Sequence, residues 1–157
     1  MKTETFNRLL KPSEKKAATR AKREGAEKKP GTSAIQLKIV FNQFIRYRDC
    51  GPSGGHCFTC GIFITRGHNS NASHFKSGDK RHWGTRFDER FVHASCIHCN
   101  WTLEGNQVIY AQKLIEKFGP GIIDEFHLKN KLNPKKPGEL WFKEQIKVYK
   151  EKVKALE

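Results

Sequence analysis

No stretch of this 157-residue sequence approaches the length of an apolar membrane span, and no charged-then-apolar secretory start is visible. Both absences predict a soluble protein that works inside a cell, without a membrane partner. Acidic residues are scarce. There are 16 Asp and Glu against 30 Lys and Arg, which gives a net charge of +14 and an isoelectric point near 9.8. With 11% aromatic residues and a mean hydropathy of −0.72, that balance suggests a polyanionic partner and says no more than nucleic acid. Internal repeats are also missing, apart from one pair of cysteine knuckles. The length predicts one domain of ordinary size, smaller if the ends are extended.

The knuckles are Cys57-Phe-Thr-Cys60 and Cys96-Ile-His-Cys99, separated by 35 residues that include His74 and a basic cluster. A Cys-x-x-Cys turn points two thiolates at one spot, and two such turns close a tetrahedral cage with zinc–sulfur distances near ~2.3 Å. Gly61 follows the first knuckle, where a residue free to take positive φ helps the chain turn away. Cys57, Cys60, Cys96 and Cys99 therefore read as a structural zinc site. The alternatives are two disulfides or four unrelated thiols, and disulfides need an oxidising compartment that nothing here signals. A closed four-thiolate site leaves no position open for substrate, so its zinc holds the fold and does no chemistry. Cys50 is left over and reads as a spectator thiol.

Residues 1–31 carry ten Lys and Arg against four Glu and have little apolar content. They read as a basic arm that becomes helical on binding, or as a solvated tail. After Pro30-Gly31, a helix is predicted from Thr32 or Ser33 to about Arg48, with its apolar face at 37, 40, 41, 44, 45 and 47. Lys38, Arg46 and Arg48 fall outside that face and can meet solvent or phosphate. A Gly-rich loop covers 51–55. Ile62–Thr65 and Ala72–Phe75 read as an outgoing and a returning strand. Lys76 to Arg86 is a long basic loop, and Lys76, Lys80, Arg81 and Arg86 are its candidate DNA contacts. Leu103–Asn106 reads as a turn. Helices are predicted over 108–118, over 122 to about 129, and over 139–156, the last burying Leu140, Trp141, Ile146, Tyr149 and Val153.

Residues 40–128 resemble the NinG family of lambdoid phages, also called Rap. The words that carry the resemblance are Phe44-Ile-Arg-Tyr-Arg-Asp49, Cys57-x-x-Cys60-Gly61, Ala72-Ser-His74-Phe75, Arg86-Phe-Asp88 and Val92-His93. Cys96-x-x-Cys99-Asn100, Gly105-Asn106, Tyr110, Leu114-Ile115, Gly119 and Asp124-Glu125 complete them. The knuckles alone occur in many zinc proteins; their order around the internal histidine is far more specific. The family is one of recombination nucleases that resolve or cut branched DNA. It resembles in turn the HNH endonucleases, whose zinc-bound subgroup wraps a ββα metal site around such a cage.

The resemblance implies roles for individual residues. His74 matches the general base, and its ordinary pKa near ~6.5 suits proton removal at neutral pH; without the resemblance it reads as an ordinary strand histidine. Asn100 matches the last HNH position, where an amide oxygen ligates a hard cation such as Mg²⁺ or Mn²⁺; otherwise it caps the helix after the knuckle. Asn71 and Ser73 stand where the family tends to have aspartate and glycine, and Asn71 offers a weaker oxygen ligand than a carboxylate. Asp88 and His93 are further candidates as ligand or orienting group, with His93 equally able to pack against the knuckle. One position departs from the pattern: Phe91 stands where the middle Asn of HNH is expected.

These readings predict an α+β fold, a small four-cysteine, zinc-stabilised HNH-like ββα-metal core with flanking helices. The organisation is an arm (1–31), a nuclease domain (32–130), and a basic linker with a C-terminal helix (131–157). The implied activity is metal-dependent cleavage of branched recombination intermediates, of Holliday-junction or D-loop type, in the cytoplasm of the bacterial host. A homodimer is compatible with this. The rival is a non-catalytic, zinc-stabilised nucleic-acid-binding module using the same basic surface.

Overall fold

The computed structural model describes residues 32–76 and 82–157. The basic arm over 1–31 and two of the loop cations, Lys80 and Arg81, lie outside the described residues. Gly31–Glu157 forms one compact unit of mixed α and β structure.

Helix α1 (Ser33–Asp49) starts after Thr32, whose carbonyl accepts the first two helical N–H bonds, from Ile35 and Gln36. Its buried stripe is Leu37, Val40, Phe41, Phe44 and Ile45, the helical spacing read from sequence. The last helix, α4 (Glu139–Lys154), lays Phe142, Ile146, Tyr149 and Val153 against that stripe. The Ser33 hydroxyl bonds the Glu139 carboxylate, tying the two helix starts together. Leu140 was expected inside but is 71% exposed, and Phe142 takes the buried position. The helix presents its 142/146/149/153 face, and Leu140 falls outside that row.

The strands pair differently from the sequence expectation. The segment read as a Gly-rich loop is a short hairpin, β1 (Cys50–Gly51) with β2 (Gly54–His56), and β2 takes β3 (Phe63–Ile64) on its other edge. The returning strand, β4 (Ser70–His74), pairs instead with β5 (Val92–Cys96) in antiparallel register, Ser73 opposite His93 and His74 opposite Val92. The cause is local. Asn69 Oδ1 accepts the Thr65 N–H at 2.8 Å and the Ser70 hydroxyl donates to the Thr65 carbonyl at 2.6 Å. This side-chain-built turn carries β4 away from β3.

β5 is buried along its whole length. Val92 joins the α1–α4 core, while Ala94 and Cys96 join a cluster with Cys50, Cys57, Ile64 and Cys99. Before it, Phe91 enters a third cluster with Phe75, Tyr110, Leu114, Ile122 and Phe126. That cluster seats α2 (Gln107–Phe118) and α3 (Ile122–Leu132). A short helical turn, His98–Thr102, follows β5 directly.

Candidate active site and metal centre

The four knuckle cysteines converge. Their sulfurs all lie within 4.8 Å of one another, and Cys60 and Cys96 Sγ are 3.8 Å apart. A tetrahedron with ~2.3 Å metal–sulfur bonds separates its sulfurs by about 3.8 Å. Donors surround the cage. The Cys99 N–H donates to Cys96 Sγ at 3.4 Å, the Asn106 amide reaches Cys99 Sγ at 4.0 Å, and the Thr59 hydroxyl lies 3.3 Å from Cys57 Sγ. Burial pushes the Cys57 thiol up, but the Cys60 and Thr59 donors outweigh it and bring it down to about 6. Burial pushes the neighbouring Cys60 and Cys96 thiols up instead, as expected where only one of several adjoining sulfurs ionises before a cation is bound. Thiolates held by N–H and O–H donors at this spacing fit zinc. The cluster can hold a metal ion such as zinc, and Cys50, buried beside it, is not part of it.

Beside β4 lies a cleft of about 610 Å³. Asn71 and His74 of β4 line it together with Arg86 and Asn100. Four residues named as candidates from far-apart segments thus meet at one place. Asn100 is brought there because the turn after β5 starts at the second knuckle, so the cage sets its position.

His74 is half-buried, and its Nε2 lies 3.0 Å from the Arg86 carbonyl oxygen. A carbonyl only accepts, so Nε2 carries the proton and Nδ1 keeps the lone pair. Burial pushes the imidazole down to about 4, and the charges of Arg86 and Lys38 act in the same direction against the carbonyl bond. His74 is therefore neutral at physiological pH. Its supports come from several elements. The Tyr110 hydroxyl donates to the Ser73 carbonyl at 2.8 Å. Thr85 and Asn130 bond each other at 2.9 and 3.2 Å, just before Arg86. Gly84 lies so close to α3 that a Cβ there would sit 2.3 Å from the Lys129 carbonyl oxygen, so no larger residue fits without a shift.

Two candidates are elsewhere. Asp88 is held by Arg90 at 3.0 Å and Lys129 at 2.6 Å, and does not line the cleft. His93 is buried and stacked on Phe58 of the first knuckle, ring centroids 3.9 Å apart. Its Nε2 donates to the Arg90 carbonyl at 3.2 Å, and its Nδ1 lies 2.9 Å from the Arg48 guanidinium and 3.4 Å from Asp49 Oδ2. Arg48 also spans to the Glu89 and Val92 carbonyls and to Asp49. It braces the fold and does not line the cleft, whereas Lys38 and Arg46 do. Lys76 donates to Gln107 Oε1 at 2.8 Å.

The sequence reading missed Asn42, Trp101, Glu104 and Gln107, all of which line the cleft. Glu104 is its one carboxylate among the described lining residues, and sits in the left-handed region at φ 48°. A Glu held there is uncommon, and such conformations cluster at functional sites. A Glu-Gly-Asn run read as a plain turn was the available signal. The next residue, Gly105, lies beside the His74 carbonyl, with a built Cβ 3.9 Å away. Glu104, Asn71 and Asn100 give the cleft oxygen donors of the kind a hard divalent cation takes.

Residues 2–157 match the family described as Bacteriophage Lambda NinG protein. The chain belongs to the NinG family. Protein ninG of Salmonella phage P22 is 31% identical over 125 residues, covering 77% of this chain and 56% of that protein. Protein ninG of Escherichia phage lambda is 32% identical over 90 residues, 57% of this chain and 41% of its own length, and that of Escherichia phage 933W is 33% identical over 90 residues. The chain thus spans about half the length of the NinG relatives it matches. No solved structure matches. Among the described residues no helix is long and apolar enough to cross a membrane.

Proposed function

We propose that this NinG-family chain is a metal-dependent DNA endonuclease that cuts branched recombination intermediates in the phage-infected bacterial cell. The core is read as HNH-like: hairpin β4–β5 and the turn after it form a ββα unit around a structural zinc held by Cys57, Cys60, Cys96 and Cys99. The observation that carries the reading is the convergence of His74, Asn71 and Asn100 on one basic cleft, with the His74 Nδ1 lone pair kept available by the Arg86 carbonyl.

The chemistry assigns a role to each residue. Neutral His74 accepts the proton of an attacking water through Nδ1. Asn71, Asn100 and Glu104 would hold a divalent cation, Mg²⁺ or Mn²⁺. Such an ion, when bound, neutralises charge developing on the phosphate and the leaving 3′ oxygen. Lys38, Arg46 and Arg86 draw the DNA backbone to the cleft. Phe91 replaces the expected Asn, and it packs edge-on against Phe126 with ring centroids 5.2 Å apart. The Phe75 N–H bonds the Phe91 carbonyl at 2.9 Å, so the backbone beside His74 is held by packing and a main-chain bond.

One observation favours the rival, a zinc-stabilised binding module: position 71 offers an amide where a carboxylate would bind the cation better. Plasmid nicking decides. Nicking that needs Mg²⁺ or Mn²⁺ and disappears in His74→Ala supports the nuclease; DNA binding without nicking supports the module.

A further inference from the structure

Trp101 immediately follows Asn100 on the helical turn and is 74% exposed, the most exposed large aromatic among the described residues. A globular chain gains by burying an indole, so leaving one in water at a cleft mouth forgoes that gain. The neighbourhood is cationic. On α1, Lys38, Asn42 and Arg46 follow one another at intervals of four, which places them on one helix face, and all three line the same cleft. Glu104 is the one acid among the described residues facing them.

Two polar atoms of this stripe lack partners. Asn42 Oδ1 and Arg46 Nε are both enclosed and without a hydrogen bond. Buried polar groups are normally paired, and an unpaired one costs its desolvation. Both residues line the cleft, so an occupant there is the nearest source of partners for them. One atom is an acceptor and the other a donor. A nucleotide offers both complements: base-edge N–H groups donate and phosphate oxygens accept.

We propose that the cleft takes an unstacked nucleotide of a DNA strand, its base lying on Trp101 and its phosphate on the Lys38–Asn42–Arg46 face of α1. The proposal rests on the reading of the cleft as a DNA site and names what it selects. A fully stacked duplex cannot present a base face to an indole, whereas an unpaired base at a branch, bulge or fork can. Trp101 is thus a specificity-determining residue, and it discriminates by stacking, which tolerates any base.

The test is fluorescence anisotropy of labelled DNA without added divalent cation, so that binding is read apart from cleavage. The probes are a perfect duplex and the same duplex with one unpaired adenine. The parent protein binds the bulged duplex more tightly than the perfect one. Trp101→Ala loses about 5- to 150-fold on the bulged probe, the range for removing one base–aromatic stack, and with it the preference. Trp101→Phe keeps most of the preference. Arg46→Ala weakens binding to both probes and lowers the log–log salt slope by about 0.9. The exposed position of Trp101 keeps its variants folded, checked by retained zinc and circular dichroism. The proposal is overturned if the parent shows no preference, if Trp101→Ala keeps it, or if Trp101→Phe loses as much as Trp101→Ala. A protein that keeps this preference but cuts no DNA with Mg²⁺ or Mn²⁺ contradicts the nuclease reading alone.

Discussion

The His74 imidazole donates through Nε2 to the Arg86 carbonyl oxygen at 3.0 Å. That bond fixes the tautomer, and burial fixes the charge. Because burial brings the pKa down to about 4, His74 should stay neutral well below its ordinary range. The unfolded chain binds a proton near ~6.5, so between about 4 and 6.5 the unfolded state holds more protons. Stability contributed by His74 is therefore complete above ~6.5 and declines as pH falls toward the folded value. An NMR titration should show the His74 ring shifts flat down to about pH 5; a midpoint near 6.5 would contradict the neutral assignment.

Asp49 is a second pH-sensitive point. Burial works to raise its pKa, but the His93 and Arg48 side chains and the Ala94 N–H, 2.7 Å from Oδ2, hold the carboxyl well below the usual carboxylate range. A depressed carboxylate contributes stability above its unfolded pKa of ~3.9 and loses it as pH falls below that value. Asp49→Asn should cost about 1.5–3 kcal/mol at pH 7, with the difference from the parent narrowing below pH 4. Urea melts at pH 7 and pH 3.5 check this, and an equal loss at both would remove the charge from the explanation.

How much of this was legible in the sequence differs from element to element. The cage was readable because Cys-x-x-Cys forces two sulfurs together locally, so only the meeting of the knuckles needed the fold. Helix α1 was readable because its apolar residues sit at helical spacing. The strand partners were not. β3 has two residues and one buried side chain, Ile64, too little pattern to specify a register. The left-handed Glu104 and the outward turn of Trp101 are backbone consequences of the segment between the second knuckle and α2. Periodicity does not report them. His93 and Asp88 do not line the cleft, and their residue types alone did not report this, because His and Asp serve structural and site roles alike. Only the ring of partners around each tells the two uses apart.

The cage should be a condition of folding. Cys57 and Cys99 are buried in a cluster whose other members are Cys50, Ile64, Ala94 and Cys96, too few apolar groups to close without a bound ion. Cys96→Ser should lose the metal and give an insoluble or molten product, read by zinc content and near-UV circular dichroism. A natively folded, zinc-free variant would contradict the cage.

Glu104 should show opposite effects on stability and activity. At φ 48°, replacement by glycine relieves a conformation that disfavours side chains, stabilising the fold by about 1 kcal/mol. The same change removes the cleft's carboxylate, so Glu104→Gly should need more Mg²⁺ for half-maximal cleavage. Thermal melts and a Mg²⁺ titration of the cleavage rate read the two effects separately. An unchanged Mg²⁺ requirement would exclude Glu104 from cation binding.

The central claim is that His74 is the base of a DNA-cutting site. The most direct measurement is the single-turnover cleavage rate of a branched DNA substrate at saturating protein and Mg²⁺, for the parent and His74→Ala, with affinity measured in parallel. General base catalysis contributes about 10²–10⁴-fold, so the account predicts a loss of that size in rate, with zinc retained and affinity nearly unchanged. A His74→Ala protein that cleaves as fast as the parent would contradict it.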